Sequence, residues 1–108
     1  MKRALFRHGD VLVAAVEQIP AEAQELKTHT LAEGEVTGHS HRIEDPACAQ
    51  LYRFEGQLFM HVTSAANLIH EEHATIVLPV GFYRVWKQRE YTGPAKDGSQ
   101  VSFKPVID

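Results

Sequence analysis

A chain of 108 residues, 44% hydrophobic and 23% charged, has material for one modest core and too little for two, so a single domain over residues 1–108 is expected. Its formal net charge of −3, with lysines and arginines scattered along the chain, disfavours nucleic acid and anionic membrane surfaces as partners. A lone cysteine, Cys48, excludes an intrachain disulfide, a thiolate zinc cluster and a CxxC redox pair.

No apolar run approaches the roughly 18–20 residues of a membrane span, and the start MKRALFRHGD lacks the apolar stretch of a secretory signal. The expected compartment is the cytoplasm. Cys48, in DPACAQ, has no base beside it in sequence and reads as an inert small residue.

Residues 4–7 open the chain as a short strand, Gly9 and Asp10 form a turn, and residues 11–16 are an apolar, β-branched run expected to be a buried strand. His8, just before the turn, is expected to be solvated. Pro20 closes that strand. Residues 21–26, AEAQEL, contain helix formers but too few for an independent helix, and are expected to be a loop or a short helical turn. Residues 27–31 return to a β pattern with Thr28 and Thr30 on one face, His29 and Leu31 on the other, and His29 reads as a surface residue.

From Gly34 the stretch GEVTGHSHRIE alternates, placing Glu35, Thr37, His39, His41 and Ile43 on one face, with Gly38 marking a bend or bulge. Asp45 and Pro46 start a turn. Residues 50–54 and 57–62 flank Glu55-Gly56, a pair with hairpin character. Leu58, Met60 and Val62 are expected to face the core, which sends Phe59 and His61 to the other side. Residues 64–73, SAANLIHEEH, read either as a short helix capped by Ser64 with His70 and His73 on one face, or as a strand ending in an acidic turn. Beyond it come a strand at 75–79, a turn at Val80-Gly81, a long strand at 82–91, a turn-rich stretch at 92–98, and an edge strand at 101–106 broken by Pro105. Eight or nine short strands with little helix give an all-β fold, a small β-barrel or sandwich.

The chemistry gathers around histidine. Of seven histidines, His39 and His41 stand two apart, and on a strand such positions leave the same face about 6.5–7 Å apart, which lets both rings converge on one ion. Glu44 follows closely. Neutral imidazoles with a carboxylate suit zinc, iron, nickel or copper, and open positions on such an ion can acidify a water or polarise a substrate. The candidate ligands are His39, His41, Glu44, His70 and His73, with His61 joining if its face of the sheet turns inward. HEEH is not the zinc-protease HExxH, which needs histidines four apart. The competing reading makes GHSHR a solvated turn and the chain a non-catalytic all-β interaction module with incidental surface histidines.

Tyr83, Trp86 and Tyr91 with Arg84, Lys87 and Arg89 have the residue types of a single-strand stacking platform. The same alternation belongs to any half-buried strand, and the chain is net acidic, so nucleic acid is not favoured. Arg84, if it points inward, is a candidate for binding the carboxylate or phosphate of a small-molecule ligand beside the metal. Unpaired edge strands make a homodimer the form of self-association to expect.

Gly34, then His39-Ser40-His41, Glu44 and later Pro79-Val80-Gly81 resemble the two motifs of the cupin superfamily, over roughly the middle half of the chain. That resemblance implies a cupin-like barrel in which His39 and His41 are paired imidazole ligands and Glu44 the carboxylate ligand. The spacings from Gly34 and to Glu44 are each short, and Arg84 stands where the motif has its last histidine, so His61, His70 or His73 would have to supply that nitrogen. GEVTGHSHRI with HEEH and LPVGFYRVWKQREY is similar, over most of the chain, to a family of small uncharacterised bacterial proteins, which implies a shared all-β domain and no activity.

Overall fold

The alternation of apolar and polar residues produces ten strands in the computed structural model, which describes residues 4–34 and 38–88. They are β1 (Leu5–His8), β2 (Val11–Val16), β3 (Gln24–Glu25), β4 (Thr30–Glu33), β5 (Ser40–Ile43), β6 (Ala49–Phe54), β7 (Gln57–Val62), β8 (Ala66–His70), β9 (His73–Leu78) and β10 (Gly81–Lys87). A 3-10 turn at Pro46–Cys48 precedes β6, capped by Asp45, whose Oδ1 accepts from the Ala47 amide at 3.0 Å. Among the described residues no helix is long and apolar enough to cross a membrane.

The strands divide into two antiparallel sheets. One has six strands in the order β1-β2-β10-β7-β6-β3, the other four in the order β4-β5-β8-β9. Among the described residues the sheets do not close on each other, so the barrel alternative gives way to a sandwich-like pair. Val11, Val13, Leu51, Met60, Val62 and Val85 from the larger sheet meet Leu31, Ile43, Ala66, Leu68 and Leu78 from the smaller, and these side chains form one buried core. Burial of this apolar area supplies the main driving force for pairing the sheets.

Local turn chemistry sets the register of each hairpin. Glu55 and Gly56 both have positive φ, 51° and 79°, as a two-residue hairpin with the twist of its strands requires, and β6 and β7 pair in register from Ala49↔Val62 to Phe54↔Gln57. Gly38, at φ 89°, makes the bend expected before the histidines. The ambiguous stretch around HEEH is the strand alternative: β8 and β9 pair, with His70 opposite His73 across the Glu71-Glu72 turn. The segment expected as a loop or helical turn holds the two-residue β3, which pairs with Tyr52 and Arg53. Positions 35–37, the continuation of the last long strand to Tyr91, the turns at 92–98 and the edge strand at 101–106 lie outside the described residues.

Tyr83 is 3% exposed and its hydroxyl donates to the Pro79 carbonyl at 2.7 Å, tying β10 to the turn that precedes it. Burial raises its pKa. Tyr83→Phe keeps the ring packing, including the edge contact with Phe6, but strips that carbonyl of its donor. An unfolding free energy lower by about 1 kcal/mol is expected in urea titration; no change would mean the bond contributes nothing net.

Candidate metal centre

Two-residue periodicity in β1 puts Phe6 and His8 on the face that meets the core, and His8 is only 2% exposed. The expectation of a solvated His8 is therefore wrong, because His8 is the last inward position of β1 and not part of the turn. It lies opposite Val11, a core residue, in the hairpin register. On β5 the same alternation buries His41 and Ile43 while Ser40 and Arg42 face outward. The β8–β9 hairpin brings His70 and His73 to the same end of the sandwich. Five rings gather there: His8–His41 centroids are 5.0 Å apart, His41–His70 4.3 Å, His70–His73 4.6 Å and His39–His70 5.7 Å.

Hydrogen bonds determine which nitrogens hold protons. His8 Nε2 lies 3.0 Å from the Ala74 carbonyl, which can only accept, so Nε2 carries the proton. A neutral His8 then has a lone pair on Nδ1, and His41 Nδ1, 2.9 Å away, must donate to it. The lone pair of His41 is left on Nε2, and 3.6 Å from it is Asp10 Oδ1. Two acceptors thus face each other across a gap that a shared cation would fill. With metal–ligand bonds of about 2.1 Å, two ligands of a tetrahedral ion stand about 3.4 Å apart, close to this separation.

His41, His70 and His73 offer ring nitrogens that lie within 4.8 Å of one another, and so do His39, His70 and Glu71 taken with a carboxylate oxygen. The second group is weaker chemically. Glu71 is clamped by Arg42, whose Nη1 and Nη2 lie 3.2 and 3.0 Å from its two oxygens, and by the Ser40 amide at 3.0 Å. The Arg42 hydrogen bond holds its pKa down at about 2. Its charge is already neutralised. His39 Nδ1 lies 3.0 Å from Glu72 Oε2 at an angle outside that of a hydrogen bond, on the outer side of the cluster. His70 Nδ1 accepts from the Glu72 amide at 2.9 Å, so ligation through either nitrogen of the neutral ring gives up that bond.

The remaining candidates lie elsewhere. Glu44 is exposed and its Oε1 accepts from Asn67 Nδ2 at 2.9 Å; among the described residues no group able to hold an ion includes it. The reason is the sheet itself: Glu44 follows Ile43, an inward position, and so turns away from the cluster. His61 is on the face opposite Met60 and Val62 as expected, but that face is the outside of the larger sheet, where its ring stacks on Phe82 at 4.5 Å. Arg84 stands between the buried Tyr83 and Val85 and so leaves the outer face, its guanidinium 5.0 Å over the Trp86 ring. Sequence reasoning missed His8 and Asp10; the Phe6–His8 alternation was the one signal for the former, and none marked the latter.

Gly9 is what allows the rings to approach the β1–β2 turn. It has φ +64°, and a Cβ there would lie 2.6 Å from His73 Nε2 and 3.1 Å from His41 Cε1. Burial, then repulsion from His70 and His8, lowers the His41 pKa to about 4; burial also lowers those of His8 and His70. These rings are therefore held neutral, the form that binds metal. For metal-free protein the sign follows from His41 titrating near 4 when folded and near 6.5 when unfolded. Between those values the unfolded chain binds more protons, so stability falls as pH drops from about 6.5 to about 4 and levels off below. The loss expected from His41 alone is about 3 kcal/mol, read by denaturant titration in chelator across that range. A flat profile would contradict the burial of a neutral ring.

A family model described as a domain of unknown function (DUF8820) matches residues 7–88. No curated protein and no solved structure matches the chain.

Proposed function

The chain belongs to the DUF8820 family, whose function is unknown, and from that premise we propose that it binds one divalent transition metal ion, zinc, iron, nickel or copper, through His41, His70 and His73. The observation that carries this reading is the lone pair of His41 Nε2 facing Asp10 Oδ1 at 3.6 Å, with the nitrogens of His70 and His73 within 4.8 Å of the His41 ligand atom. Three imidazoles leave a coordination position, and Asp10 stands beside it either as a fourth ligand or as the base for a metal-bound water. The second alternative is an enzyme. An interaction module with incidental surface histidines fits less well, since His8 and His41 are each 2% exposed.

The test is direct. Protein stripped with chelator is titrated with each of the four metals by calorimetry, and the metal content of untreated protein is measured alongside. One equivalent is expected to bind saturably, with affinity falling as the pH approaches the lowered His41 value of about 4, where protons compete for the imidazole. Absence of saturable binding by all four metals would falsify the proposal, and an affinity still unchanged at a pH of about 4 in folded protein would exclude ligation by His41.

A further inference from the structure

A cavity of about 250 Å³ opens between the two sheets next to the histidine cluster. It shares walls with the strands that carry the cluster: Val11 pairs with both His8 and Lys87, and Ala32 pairs with His41. Leu31, Leu58 and Val85 give it an aliphatic lining.

Three cationic residues line this cavity, Arg53, Arg84 and Lys87. Lys87 Nζ lies 4.0 Å from Asp10 Oδ2 and donates to the Glu33 carbonyl at 3.3 Å, which places the ammonium between the cavity and the carboxylate that faces His41. Arg53 is in the same row as Leu58 and Val85 across β6, β7 and β10, so it leaves the inner face of the larger sheet. Its guanidinium has no hydrogen-bond or ion-pair partner among the described residues. Arg84 borders the cavity as well, but its side chain is occupied with Trp86 on the other face. Among the described residues the one carboxylate residue in the lining is Glu33. Three cationic residues against Glu33 and the neighbouring Asp10 favour an anion, on a chain whose overall charge is negative.

We propose that this cavity binds a small carboxylate with an apolar body, its head held by Arg53 and Lys87 and its body against Leu31, Leu58 and Val85. A planar carboxylate matches the guanidinium fork. A phosphate would press a third charged oxygen against aliphatic wall, at a desolvation cost nothing there offsets. The inference depends on the metal reading only for what happens to the ligand afterwards; the anion site stands without an ion.

The Trp86 ring lies with Arg84 on the outer face of the sheet, so occupancy is read by isothermal calorimetry. Hexanoate is titrated into chelator-treated wild type, Arg53→Gln and Lys87→Gln, with melting curves to establish that each is folded, and with hexanamide and inorganic phosphate as parallel probes. Saturable binding of hexanoate is expected, weakened at least about tenfold in each variant by loss of a hydrogen bond to a charged group. No saturable response, hexanoate affinity unaltered in both variants, hexanamide binding as tightly as hexanoate, or phosphate binding more tightly would each overturn the proposal. Because the titrations contain no metal, their outcome is independent of whether the histidines bind an ion.

Discussion

His41→Ala is expected to lower metal affinity by more than a hundredfold, while His39→Ala changes it by less than about threefold. The asymmetry follows from the geometry. His41 Nε2 is a lone pair presented toward Asp10 by a buried ring whose other nitrogen is committed to His8, so its removal deletes both a ligand and the end of an orienting chain. Loss of an outer partner alone typically costs about 10–100-fold in metal affinity, and this is the effect expected for His8→Phe, which keeps the ring's bulk but leaves His41 Nδ1 without its acceptor. His39 instead meets the carboxylate of Glu72 at 3.0 Å, outside the three-histidine group. The same measurement can be read as stability: a site filled at about 100 times its dissociation constant contributes about 2.7 kcal/mol, a rise in melting temperature of roughly 10 °C or more for a domain of this size. Calorimetry and melting on wild type and the three variants decide the matter. Equal losses in His39→Ala and His41→Ala would refute the proposed ligand set.

Gly9→Val is expected to have the largest effect on the folded state and to abolish metal binding with it. A non-glycine residue at φ +64° costs about 1–2 kcal/mol from backbone crowding alone. Any Cβ there also lands 2.6 Å from His73 Nε2, so the ring must rotate out of the cluster or the hairpin must shift. A total above about 2 kcal/mol is expected, equivalent to roughly 10 °C in melting temperature. Gly38 is the internal control. Its φ is +89°, yet among the described residues a Cβ would meet nothing within 4 Å, so Gly38→Ala isolates the backbone strain. If Gly9→Ala and Gly38→Ala prove equally destabilised, with metal binding intact in both, the close approach of the rings to the β1–β2 turn has no energetic consequence.

How much of this was legible in the sequence differs from residue to residue. Met60, Val62 and Ile43 point to the core where period-two reading puts them, because side-chain direction along a strand is a local property. Glu55-Gly56 and Gly38 likewise mark their turns through backbone conformations that only a few residue types accept readily. His61 illustrates the limit. Its face was legible, but whether that face is interior depends on where the second sheet lies, and the structure puts it outside.

His8 was misread because the turn signal of Gly9-Asp10 next to it outweighed the weaker alternation of a four-residue strand. Glu44 is a candidate through its nearness to His41 in sequence and through the cupin resemblance, but one step along a strand reverses the direction of a side chain.

The order of residues alone determined an all-β chain, the hairpins at its tight turns and the inward direction of His41. Only tertiary structure decided that β2 pairs with β10 and β1 approaches β9, pairings between positions some 70 residues apart in the chain. These contacts bring His8 and Asp10 to the same place as His41, His70 and His73. Strand periodicity specifies which way a residue faces, whereas what it meets there is set by non-local association of apolar surfaces, and no short stretch of sequence encodes that.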